Sequence, residues 1–312
     1  MSEGYDLWEK PSAEGNIMFV GWRQWADAGS VSSGLPQYLV KQTGAYQIGA
    51  IHPDGYYLFQ IPGTHDLVRP VVRYEEGYPV SLQRRQNDLH YATLRDRGLV
   101  ILQGDEPHLD AERYVNTILA AARELNVKRI VSFGGVYGVL PYDKERLVSA
   151  IYSQPELKSE FDDLAVTLSD YRGGASIGSY LCRRAGELGM ESVGFYAFVP
   201  IYDFSDLGIV ENTIRIENDY FAWLGIMRRV NYMLKLGFDL TDLEERSERL
   251  VQVVDSKIAE MDEATPEAGL RAYLQRLSDE FEELTFNPLD EVWEDEIRRL
   301  MDRFDEADEE QS

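Results

Sequence analysis

The stretch from Leu99 to Gly135 limits what this chain can fold into more than any other part of it. "LVILQG" is an apolar strand-length run, and "RIVSFGG" is a second, free of Pro. Between them, "LDAERYVNTILAAARELNV" places Val115, Ile118, Leu119, Ala122 and Leu125 at helical spacing, which makes one apolar stripe. A helix that joins two buried strands returns the second parallel to the first, and a parallel sheet needs cover on both faces. An α/β layer fold follows, with a mainly parallel sheet. "NIMFVGW", "YQIGAI", "YYLFQI", "LAVTL" and "SVGFYAFVP" read as further strands, and Tyr56 to Arg73 as a source of an antiparallel portion.

Strand signals stop near Glu217. "NDYFAWLGIMRRVNYMLKLG" reads as one long helix. The next begins at "TDLEERSERL", where Thr241 and Glu244 have capping-box spacing, and carries Leu243, Leu250, Val254, Ile258 and Met261 along one side. Thr265 and Pro266 then predict a cap and first turn for a helix with Leu270, Leu274, Leu277, Phe281 and Leu284. A last helix is expected around Val292, Trp293, Ile297 and Leu300. The organisation expected is an α/β domain over 1–238 and an acidic helical segment over 239–312.

Charge separates the two parts. Residues 239–312 hold 25 Asp and Glu against 8 Lys and Arg, a net of −17, whereas the first 238 residues carry only −7 of the total −24. Such a field repels a phosphate backbone, so nucleic acid is not an expected partner. The acidic face suits either a basic protein surface or plain solvation. No apolar run approaches the ~20 residues that span a bilayer. The first residues lack the basic start and apolar core of a secretory leader. A single cysteine, Cys182, fits a reducing compartment, and a cytoplasmic location is expected.

The turn "FVGWRQWADAGSVSSG", Phe19 to Gly34, lacks the Gly-Lys-Ser/Thr of a nucleotide P-loop and the G-x-G-x-x-G of a dinucleotide site. Its small residues let a helix start lie close to the sheet, and Asp27 is placed to accept N–H bonds there. "GGASIGS" matches G-x-S-x-G around Ser176, but all four His precede that serine, whereas hydrolases of the nucleophile-elbow type place the catalytic His after it. Ser176 is therefore expected in a first helical turn. His108, in "DEPHLDAE", reads as part of a helix-start loop and Cys182 as a small buried apolar residue. No His or Cys pair has metal-ligand spacing, so no catalytic, cofactor or metal residues are assigned. Small residues that follow strands mark the crevice of a doubly wound sheet, so a pocket lined by Asp27, Gly29, Gly134, Gly135, Gly173 and Gly174 is expected.

"GWRQWADAG", "GDEP", "RIVSFGGVYGVLPYDKE" and "YRGGASIGSYLCRRAGELGMESVGFYAFVP", with the acidic helices after them, resemble the proteasome assembly chaperone 2 family from about Phe19 to Leu284. The resemblance implies a three-layer α/β/α fold similar to nucleoside phosphorylases and nucleosidases, self-assembly often as trimers, and, for characterised members, help in building proteasome rings. It leaves two functions to weigh. One is a non-catalytic homo-oligomeric assembly or binding protein with itself, proteasome subunits or another protein as partners. The other is a small-molecule enzyme inherited with the fold. Two departures stand out: Tyr142 and Ile201 occupy positions where relatives often have His, and "DEEQS" lacks the hydrophobic-Tyr-x ending of relatives that dock on proteasomes by their tails.

Overall fold

In the computed structural model two strands open the chain, β1 (Tyr5–Leu7) and β2 (Asn16–Arg23). Successive side chains of β2 point to opposite faces of the sheet, and both faces are apolar. Ile17 and Phe19 enter one core, Met18, Val20 and Trp22 the other. The model describes residues 4–60 except 12 and 14, 69–204 except 84, 86 and 96, and 214–286 except 285.

The elements continue as α1 (Gly34–Thr43), β3 (Tyr46–Ile51), β4 (Val71–Glu75), β5 (Tyr78–Gln83), β6 (Asp88–Leu94) and β7 (Arg97–Asp105). Next come α2 (Ala111–Glu124), β8 (Val127–Gly138), β9 (Val148–Tyr152), β10 (Thr167–Leu168), α3 (Ile177–Glu187), β11 (Glu191–Tyr202) and β12 (Ile214–Arg215). The helices α4 (Tyr220–Leu234), α5 (Thr241–Ala264) and α6 (Leu270–Glu280) close the described chain. One sheet holds all strands but two, in the order β1-β3-β6-β7-β2-β8-β11-β9-β10, with β12 beside β11; β4 and β5 form a separate hairpin. The centre, β7-β2-β8-β11, is parallel, and antiparallel strands flank it. Helices α2 and α3 pack on the Met18 face, while α1, α4, α5 and α6 pack on the Phe19 face. The result is the α/β/α sandwich expected, with the α2 crossover carrying β7 to β8 past β2.

Several local expectations change. Tyr56–Gln60 is not a strand. Tyr56 turns inward and meets Tyr114 edge to face at 5.0 Å, and the Tyr57 hydroxyl lies 2.8 Å from Asn87 Oδ1. This apolar run anchors a loop against α2 and so does not pair. Of Leu164–Leu168 only the last two residues are strand. The antiparallel signal lies further on, in β4 and β5. Thr241 and Glu244 form no capping box: Asp239 accepts both the N–H and the hydroxyl of Thr241, and Glu244 pairs with Arg228 at 2.8 Å. Helix α6 starts four residues after Pro266, because Gly269 takes a left-handed φ of 65° and breaks the turn. The helix expected around Val292 to Leu300 lies outside the described residues.

Two buried ion pairs tie the helices of the Phe19 face to the loop between β8 and β9. Arg146 and Asp219 are both fully buried and meet at 2.8 Å. Arg146 spends its other donors on the carbonyls of Pro141, Tyr142 and Lys144. Asp219 also caps α4 by accepting from Ala222 N. Arg229 of α4 bonds Glu145 at 2.9 Å and donates to the carbonyls of Leu164 and Ala165, while Glu145 accepts from Phe286 N. A buried charge left alone is far costlier than a matched pair. Asp219→Ala should therefore cost about 3–5 kcal/mol, read as a lower urea midpoint at unchanged slope. A loss below about 1 kcal/mol would mean that the pair is not the tie described.

Candidate interaction surface

The chain leaves β2 through a tight loop. Gln24, Ala26 and Ser30 take left-handed φ values of 97°, 52° and 49°, and Gly29 one of 60°. These conformations cost energy, so the loop must be held by its contacts. Asp27 supplies the first set: Oδ1 accepts from Ser32 N at 3.0 Å and Ser33 N at 2.9 Å, and Oδ2 accepts from the Ser33 hydroxyl at 2.7 Å. Ser33 is the residue before α1, so the carboxylate sits at a helix start. Burial pushes the Asp27 carboxyl above the usual carboxylate range, against the pull of the bonds from Ser33 and Ser32.

Backbone contacts supply the rest. Gly135 N donates to Ala26 O at 2.7 Å, and Asp27 forms a parallel bridge with Gly135. A methyl group on residue 135 would overlap the Ala28 carbonyl oxygen, so only glycine lets the loop approach this closely. Gly29 O accepts from both Asp219 N and the Trp223 indole N–H. The loop is thus fixed to β8 and, through Asp219, to α4.

Glu106, just past β7, fixes a second loop to the first. Its carboxylate accepts from Trp25 N at 3.1 Å and from Ile177 N at 2.9 Å. Burial raises its pKa as well, opposed by those two bonds. Ser176 is the cap of α3 and not a residue of its first turn: its hydroxyl accepts from Ser179 N and lies 3.2 Å from the Tyr196 hydroxyl. No described histidine reaches it. His108 Nδ1 accepts from Leu58 N, and His52 pairs with Asp6. Ser176 spends one lone pair on the helix cap, and no histidine among the described residues is placed to act as its base. Cys182 is buried, its thiol donates toward Ser192 O, and burial pushes it up to about 11, far from a reactive thiolate.

Of the six residues expected to line a pocket, the structure brings Asp27, Gly29 and Gly135 into one bonded cluster. Gly134 and Gly135 lie inside β8, not after it, and Gly134 faces the Tyr196 ring. Gly173 lies against Tyr171, and Gly174 faces Trp25. The space beside these glycines is taken by Asp219 and Val199 at Gly29, Tyr196 at Gly134, the Ala28 carbonyl at Gly135 and Tyr171 at Gly173. Shallow depressions on α2, at Asp110, Arg113 and Asn116, and between α4 and α5, at Tyr220, Leu250 and Val253, contain none of the six. Sequence reasoning passed over Glu106 and Asp219 as ties, although "ND" before an apolar helical run was a readable capping signal. Tyr142 donates to Asp255 Oδ1 at 2.9 Å, and Ile201 stands opposite Arg215 across β11 and β12.

What the end of the sheet does present is apolar surface. Trp22 is 2% exposed and its indole donates to the Tyr114 hydroxyl, but Trp25, three residues on, is 59% exposed. Tyr171 is 71% exposed beside it, and Phe59, Tyr137 and Val139 are also exposed. The β4–β5 hairpin leaves the sheet between β3 and β6 at this same end.

The Asp27 cluster generates a pH test. The folded chain holds the Asp27 proton more tightly than the unfolded chain, so this group's contribution is fullest below the ordinary pKa near 3.8 and is lost as pH rises through the raised value. Asn keeps one acceptor for the two N–H groups, with the Ser33 hydroxyl turned round to accept. The Tm of Asp27→Asn should therefore climb relative to the parent between acidic and neutral pH, whereas Asp27→Ala should cost about 1–2 kcal/mol at neutral pH. A Tm difference for Asp27→Asn that falls over that range would contradict the burial of the charge.

Comparison with known proteins agrees with this architecture. A proteasome-assembly chaperone homologue of Mycobacterium tuberculosis superposes with a TM-score of 0.68 at 23% identity, over 78% of this chain and 96% of its own. A PAC2 family protein of Streptomyces avermitilis does so with 0.65 at 23%, over 77% and 95%. The archaeal proteasome activator PbaB of Pyrococcus furiosus gives 0.60 at 18%, over 81% and 97%. At these identities the likeness is one of fold. Comparison with curated proteins returned no match. The sequence profile of the PAC2 family, however, matches residues 22–258, and on that match the chain belongs to the PAC2 family.

Proposed function

We propose that this protein is a non-catalytic, self-assembling chaperone-like protein that binds other proteins through the carboxyl end of its sheet. One observation carries the reading: where an α/β enzyme keeps its crevice, the loops here are bonded to each other and exposed aromatic side chains stand above them. Large apolar groups on a rigid frame, desolvated on contact, are what a protein interface requires. Family membership supports proteasome subunits as the class of client, since solved relatives are described as proteasome-assembly chaperone homologues and an activator. The acidic segment after residue 238 fits a client with a basic face, and the charge balance argues against nucleic acid. We read the assembly as a trimer working in the cytoplasm, with the α/β part, 1–238, as its frame.

Light scattering at micromolar concentration and moderate salt should give three times the 35.7 kDa chain mass, and immobilised proteasome α-subunits should retain the protein. Nucleosides, inorganic phosphate and simple sugars should leave its Tm unchanged. A monomer mass overturns self-assembly, absence of retention overturns the client, and a rise of several degrees with a nucleoside or phosphate overturns the non-catalytic reading.

A further inference from the structure

His108 stands in "DEPHLDAE", between β7 and α2, and two of its bonds go to one loop. Its backbone N–H donates to Tyr56 O at 2.8 Å, and its Nδ1 accepts from Leu58 N at 3.1 Å. A ring nitrogen that accepts from an amide carries no proton, so the imidazole is neutral, with its proton on Nε2. The Tyr57 ring meets the imidazole edge to face at 5.7 Å, and the Tyr57 hydroxyl donates to Asp105 O at 2.7 Å. Phe59, the residue after Leu58, is 64% exposed, with the Arg69 guanidinium 4.9 Å from its ring centre. The Leu58 bond therefore holds the backbone that presents Phe59.

A proton on Nδ1 sets two donors against each other, N–H facing N–H, and the Leu58 bond is then lost. The charged groups around the ring are engaged elsewhere. Arg85 pairs with Asp105 at 2.9 Å, Asp110 with Arg113 at 2.7 Å, and His52, at the start of the same loop, with Asp6. Glu106 accepts from Trp25 N and Ile177 N. Burial and the nearby Arg85 guanidinium hold the imidazole below the ordinary histidine value near 6.5, against the pull of Asp105. The bond is therefore fully present above that ordinary value and is lost as pH falls through the lowered one. Resting on the docking reading above, we propose that His108 is a pH-sensitive latch: neutral, it grips Leu58 N and keeps Phe59 in the docking edge, and protonated, it lets that segment go. The bonds to Tyr56 and Tyr57 do not involve the imidazole, so the release begins at Leu58.

Hydrogen–deuterium exchange in peptides that cover Leu58, each rate divided by the intrinsic rate at that pH, tests the latch on the full chain and on His108→Asn. The Oδ1 of Asn branches from Cγ as Nδ1 does, so it accepts from Leu58 N but does not titrate. Protection in the parent should fall by up to about tenfold per pH unit below about pH 6.5, and His108→Asn should keep its neutral-pH protection. Asp27 and Glu106 are present in both chains, so a loss that passes through their carboxyls appears in both. Protection that is independent of pH in the parent, or that falls equally in the two, overturns the latch. Should His108→Asn lose its fold by circular dichroism, the nitrogen spectra of the parent's histidines decide. An Nε2–H tautomer at neutral pH, titrating at the midpoint where protection is lost, upholds the latch, and any other tautomer or a separate midpoint overturns it. Immobilised proteasome α-subunits should release the parent, but not His108→Asn, over the same range. Retention that responds equally in the two, beside a latch that opens, overturns its part in docking. Retention of neither at any pH overturns the docking reading and leaves the latch standing on its exchange data.

Discussion

Asp219 is the constraint on which most of the Phe19 side of the molecule depends. It is wholly buried, and one residue does three jobs. Its carboxylate receives Arg146 and caps α4 at Ala222 N, and its backbone N–H holds Gly29 O. A carboxylate in such a place is tolerable only because its charge is matched and its lone pairs are filled. The cluster joins the loop after β2, the loop before β9 and the start of α4 into one block. Arg229 and Glu145 extend that block to the chain around Phe286.

The block explains how a loop with several left-handed residues stays in one shape. Asp27 organises it from within, Gly135 admits it against β8, and Glu106 ties its Trp25 end to the start of α3. Trp25, Tyr171 and the hairpin are left pointing outward from a stiff edge. On the function proposed above, such an edge suits a protein partner, because rigid aromatic groups lose little entropy on contact.

Much of this was legible in the sequence. The helix stripe Val115 to Leu125, flanked by two apolar strands, carried the layer order, and Asp27 before a run of small residues carried its cap. Ser176 was read one position too far in, as a first-turn residue, where it is the cap of α3. Tyr56–Ile61 misled because apolar content is blind to direction: Tyr56 and Tyr57 point inward from a loop. The box at Thr241 was lost to Asp239, a nearer acceptor two residues earlier. Gly134 and Gly135 looked like a loop after a strand, yet they lie within β8, where the Tyr196 ring and the Ala28 carbonyl need their space. Contacts between distant segments, such as Glu106 with Ile177, leave no periodic trace.

Hydrogen–deuterium exchange, followed by mass spectrometry with and without proteasome α-subunits, tests the central claim most directly. If the carboxyl edge is a docking surface on a fixed frame, amides of the Trp25 loop should gain protection when the α-subunits are added, with β2 and β8 unchanged. Exchange in the Trp25 loop that the α-subunits leave unchanged, beside β2 and β8 amides that change instead, would contradict it.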